Sequence, residues 1–162
     1  MWIPTHLLVT TAVFGPRPEA LLGAVLPDVL SYANWGTKLI RGKLKKADLL
    51  SGEDRVNSIT NNGIIWEAHT FLHSFWIAGI TLGGAIFTQK NSLSVSIFLY
   101  SYFLHIFLDY FTHKIKWWPL IPYKGWKTDF GIFEYNLANW KTVLAIDAFL
   151  LLLTALRINF RI

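Results

Sequence analysis

Between Phe71 and Leu108 the chain carries one charged residue, Lys90. A stretch that long with a single charge cannot be looped through water, so it must form apolar elements packed against something equally apolar. The polar break QKNS (Gln89 to Ser92) divides it into Phe71 to Thr88 and Leu93 to Leu108, the second running on as a helix to about His113. The first segment is close to the roughly 20 helical residues that cross a hydrocarbon layer, and the pair predicts a membrane-spanning hairpin. A third leucine-rich segment, Thr142 to Leu156, is interrupted by Asp147. Charged residues make up 15 % of the chain and hydrophobic ones 53 %, against roughly 25 % charged in an ordinary soluble domain. The fold expected is therefore all-α: a multi-pass helical membrane protein with about three spanning helices, forming one domain over residues 1–162.

The N-terminal part predicts a short helical hairpin. Ile3 to Phe14 and Ala20 to Leu26 are apolar but short, and GPRPE (Gly15 to Glu19) forces a turn between them. The hairpin would return His6 and Asp28 to the same side. No basic stretch precedes the first apolar residues, so this segment is expected to be retained rather than cleaved as a signal peptide. With the tip at Gln89 to Ser92 on one side, eleven lysines and arginines fall on the other and four on the tip side. That asymmetry predicts a cell-membrane protein with residues 35–66 and 114–141 facing the cytoplasm.

Composition excludes several chemistries. There is no cysteine, hence no disulfide, thiolate metal site or thiol nucleophile. The net charge of +5 comes with no nucleic-acid motif, and membrane-flanking charge accounts for it. Lipids, not nucleic acid, are the expected partners.

The five histidines carry the functional signal. FLHIFLDYFTH (Phe103 to His113) places His105, Asp109 and His113 at four-residue intervals, and His69 and His73 repeat the spacing. Residues four apart share a helix face one turn apart, so such pairs can reach one ion. The helical path brings His6, His69, His73, His105 and His113 into one layer with Asp28 and Asp109, the set expected to ligate a metal. Imidazole and carboxylate suit zinc, or manganese or iron, and a carboxylate off the metal could orient a ligating imidazole instead. Asp28 and Glu67 are the candidate general bases.

TH (Thr5, His6), LLGAVLPD (Leu21 to Asp28), HTFLHS (His69 to Ser74) and FLHIFLDYFTH followed by WWPL (Trp117 to Leu120) resemble the YdjM-like membrane-bound metal-dependent hydrolases, a family related to zinc-dependent phospholipase C-like proteins. The resemblance implies that His6, Asp28, His73, His105 and Asp109 line a metal centre, and that His113 is the closing histidine of its element. Leu30 stands where members often carry a second acid, and His69 is offset by one from the family's His-Arg-Gly pattern. The function expected is metal-dependent hydrolysis of an ester or phosphoester, lipid-like in character, by a metal-activated water. The alternatives are a haem protein with His73 and His105 as axial ligands, a metal-transporting membrane protein, and a structural protein that holds no metal.

Overall fold

The computed structural model describes residues 3–42, 68–69, 71–112 and 140–160. Over these residues it is all-helical: α1 (Ile3–Phe14), α2 (Pro18–Val25), a 3-10 turn (Leu26–Asp28), α3 (Val29–Ile40), α4 (Phe75–Thr88), α5 (Leu93–Thr112) and α6 (Trp140–Phe160).

Local chemistry sets the boundaries. Gly15 takes a left-handed φ of 80° after α1, and Pro18, which has no N–H to satisfy, opens α2. The Ser74 hydroxyl accepts from the Ile77 N–H at 3.3 Å and starts α4. At the tip of the α4–α5 hairpin, Ser92 caps α5 in the same way through the Val95 N–H, 3.4 Å away. The last-turn carbonyls of α1 at Ala12 and Val13 accept from the Arg157 guanidinium of α6, a cation placed where the helix dipole is negative. These bounds agree with the N-terminal hairpin and the Gln89–Ser92 break read from the sequence.

The membrane-spanning expectation is overturned. Among the described residues no helix is long and apolar enough to cross a membrane. The Phe71 to Thr88 segment does not form one helix, because residues 73 and 74 leave the helical conformation and Ser74 starts a new helix. The resulting α4 has 14 residues, about 21 Å at 1.5 Å per residue, against a hydrocarbon thickness of about 30 Å. Helix α5 is long enough in residues but turns Ser96, Ser101, His105 and Asp109 into a buried polar stripe, and α6 carries Lys141, Asp147 and Arg157. Most of the lysines behind the charge asymmetry lie outside the described residues.

Helix α5 is the centre of the packing, with α2 on one flank, α4 on another, and α1 and the 3-10 turn against it; α1 also packs on α2 and α6. The interior is made more of polar side chains than of large apolar ones. Ala20, Ala24, Ala78, Ala85, Ile97, Tyr102, Ile106 and Val143 are buried, beside Thr5, His6, Thr10, Asp28, His69, His73, Ser74, Thr81, Ser96, Ser101, His105, Asp109 and Thr154. Large apolar residues face outward, Phe87 at 78 % exposure and Ile80 and Leu22 at 63 %. Buried polar groups are costly unless they find partners, so the helix arrangement is fixed by where those hydrogen bonds close.

Candidate metal centre

Each functional side chain is delivered by a different local device. On α5, Ile97, Ser101, His105 and Asp109 recur every four residues and all are buried, so one face looks into the α1–α2–α4 cleft. Asp28 closes the 3-10 turn, where Pro27 cannot continue the α-helical ladder. The end of α2 therefore leaves carbonyls free of intrahelical partners. That of Ala24 accepts from His105 Nδ1 at 2.7 Å. His73 lies in the break just before α4 and its Nδ1 donates to the His69 carbonyl at 2.8 Å. Tyr102 ties this break to α5, its hydroxyl donating to the Leu72 carbonyl at 3.2 Å.

These two backbone contacts settle the imidazole tautomers. A carbonyl only accepts, so Nδ1 of both rings must carry the proton, and in a neutral ring Nε2 is then a bare lone pair. Those two Nε2 atoms face each other at 3.2 Å. Around them stand Asp109 Oδ2, 3.4 Å from His73 Nε2 and 3.3 Å from His105 Nε2, and Asp28 Oδ1, 3.5 Å from His73 Nε2. Four electron-pair donors converge on one small volume, an arrangement that repels itself unless a proton or a cation sits among them. Asp28, His73, His105 and Asp109 form a buried group that could hold a metal ion, their ligand atoms all within 4.8 Å of one another.

The electrostatics follow the geometry. Burial opposes charge on His73, but the hydrogen bond that a protonated Nε2 donates to Asp109 and the charge of Asp28 outweigh it and raise its pKa above 6.5. Burial likewise opposes ionisation of Asp28 and Asp109, yet His105 and His73 hold Asp28 below the usual carboxylate value, and Asp109 is lowered as well. The outer histidines go the other way, burial lowering His6 to about 4 and His69 to about 3.

Six of the residues expected at the centre come together: His6, Asp28, His69, His73, His105 and Asp109. His6 and His69 sit at its edge, outside the group of four. His6 stacks on the His105 ring with centroids 3.7 Å apart, and His69 Nδ1 is 3.9 Å from Asp28 Oδ1. His113 and Glu67 lie outside the described residues. Asp147 binds Thr5, whose hydroxyl donates to its Oδ1 at 2.6 Å, next to His6 in the chain. The sequence reading did not find the Ala24 carbonyl or the close approach of Gly23 to α5. The signal for the first was LPD: a proline immediately after a short helix exposes the carbonyls of the turn before it.

No family model matches the chain, and neither a curated protein nor a solved structure matches it. The resemblance to the YdjM-like hydrolases therefore rests on the motifs alone.

Proposed function

We propose that the chain is a metal-dependent hydrolase acting on an ester or phosphoester with an apolar portion, with zinc as the first choice of ion. One observation carries the reading: two bare Nε2 atoms and two carboxylate oxygens converge, with distances of 3.2, 3.3, 3.4 and 3.5 Å between neighbours. A zinc ion with bonds of about 2.0–2.1 Å holds neighbouring ligand atoms about 3.3–3.4 Å apart, so these neighbouring donors stand near the spacing zinc needs, and a water would join as a fifth ligand, a coordination number zinc can reach in catalysis. A divalent ion there would act as Lewis acid and lower the pKa of water towards 7. Asp28 supports the hydrolytic part of the proposal. Its Oδ2 is buried with no hydrogen-bond partner among the described residues and is available to take a proton from an attacking water.

The apolar portion of the substrate is inferred from the rim. Leu26, Val29 and Leu30 flank Asp28 and are exposed, as is Phe71 between His69 and His73. Exposed apolar side chains adjoining Asp28 and the His69–His73 pair in the chain suit the hydrocarbon part of a lipid-like ester. The haem alternative fits less well, since Nε2 atoms of His73 and His105 only 3.2 Å apart leave no space for a macrocycle between them.

The test is metal content by plasma mass spectrometry on purified protein, wild type against His105→Ala/Asp109→Ala, followed by hydrolysis of chromogenic phosphodiester, phosphomonoester and carboxylic esters. Bound metal lost in the double variant, with turnover lost in a folded His105→Ala protein, is the expected result. Full activity in that single variant would sink the hydrolase reading.

A further inference from the structure

His6 stands beside the four donors without belonging to them. It is fully buried, its Nε2 is 3.1 Å from Asp109 Oδ1, and its Nδ1 has no hydrogen-bond partner among the described residues. The two oxygens of Asp109 divide their work: Oδ2 faces the His73 and His105 nitrogens, while Oδ1 faces His6. A carboxylate oxygen only accepts, so the 3.1 Å contact is a hydrogen bond only if His6 Nε2 carries the proton. The lone pair of the neutral ring then falls on Nδ1, the atom left without a partner. The opposite tautomer would press a bare nitrogen against a carboxylate and bury an N–H with no acceptor, which folded proteins rarely tolerate.

We propose that His6 is a positioning residue. It donates Nε2–H to Asp109 Oδ1, holds that carboxylate so that Oδ2 alone is offered to the ion, and is not itself a ligand. The centre then takes one divalent ion through two imidazoles, His73 and His105, and two carboxylates. This inference rests on the metal centre proposed above, and it departs from the family resemblance, which puts His6 on the metal lining. It also inverts the usual outer-shell arrangement, in which a carboxylate orients a ligating histidine.

Two substitutions separate the hydrogen bond from the ring packing. His6→Phe keeps a ring to stack on His105 and removes the donor, whereas His6→Gln keeps an N–H near the Nε2 position and removes the ring. Zinc affinity is measured by competition with a chromogenic chelator, and the imidazole count by X-ray absorption fine structure at the zinc edge. The expected result is one ion and two imidazoles per chain in all three proteins. Affinity should fall about 10–100-fold in His6→Phe, as for other outer-shell partners, and stay within about threefold of wild type in His6→Gln. Loss of an imidazole from the zinc shell in either variant makes His6 a ligand and overturns the proposal, and the glutamine variant alone decides this point if the phenylalanine variant does not fold. Wild-type affinity in a folded His6→Phe protein also overturns it, while leaving the metal centre intact. Only a wild-type chain that binds no zinc brings down both readings together.

Discussion

Gly23→Ala tests whether the α2–α5 crossing sets the geometry of the centre. A Cβ at residue 23 would lie inside contact distance of the Phe98 carbonyl oxygen, 2.9 Å from Ser101 Cβ and 3.0 Å from the Tyr102 backbone nitrogen. Two of these three atoms are backbone and cannot rotate away, so the helices must separate. Restoring an ordinary contact of about 3.4 Å takes roughly half an ångström at Ser101 and more at Phe98. The same crossing carries the hydrogen bonds from Ser101 Oγ to the Ala20 carbonyl at 2.5 Å and from His105 Nδ1 to the Ala24 carbonyl at 2.7 Å. Displacement stretches both together. Overpacking costs about 1–3 kcal/mol, and each buried hydrogen bond weakened or lost adds about 1 kcal/mol or more, for a total of about 3–5 kcal/mol. In a chain of this size that corresponds to a fall of roughly 10 °C in Tm. Zinc affinity should drop at least about tenfold as well, because His105 loses the carbonyl that fixes its tautomer. Gly79→Ala is the control: its Cβ would meet nothing within 4 Å, and exchanging a mid-helix glycine for alanine should raise stability by up to about 1 kcal/mol. Melting followed by far-UV circular dichroism, with zinc titration of both variants, reads the outcome. A Gly23→Ala protein that melts and binds zinc like wild type would refute the claim that this crossing sets the centre.

Metal affinity should fall as pH falls, because every donor must shed its proton before binding. Asp109 and Asp28 hold His73 above 6.5, so the loss should begin above pH 6.5 and steepen below it; affinity that is flat from pH 8 to 5.5 would contradict the imidazole ligands. Asp147→Ala removes the acceptor of the 2.6 Å hydrogen bond from Thr5, and should cost about 1 kcal/mol, the net contribution of one such hydrogen bond. A thermal melt unchanged by that substitution would mean the Thr5–Asp147 contact does not join α1 to α6.

The local units were legible because the signals are short-range. GPRPE and QKNS broke the chain where prolines and polar residues oblige it to turn, and the helices on either side follow the segments read from the apolar runs, except that α4 begins at Phe75 and not at Phe71. The four-residue spacing of His105 and Asp109 was likewise a direct statement about one helix face, and Asp109 Oδ2 does lie 3.3 Å from His105 Nε2. Spanning length was misjudged because hydropathy counts residues and ignores capping. Ser74 sits in an apolar run, yet as an N-cap it starts a helix rather than continuing one.

What the sequence could not reveal is which atom of each side chain faces the centre, since that depends on backbone carbonyls supplied by other elements. His105 is turned by Ala24 from 81 residues away and Ser101 reaches Ala20 across the same distance, and no spacing rule connects those pairs. The reverse inference is stronger. Once the Ala24 and His69 carbonyls occupy the two Nδ1 protons, the facing Nε2 lone pairs are no longer a choice the side chains can make, and lone pairs at 3.2 Å beside two carboxylates need positive charge between them. A proton can supply it in the metal-free protein, on His73, whose pKa Asp109 and Asp28 raise. A divalent ion supplies more, and to all four donors at once, so the backbone of α2 and of the break before α4 builds the centre as much as the residues that would touch the ion.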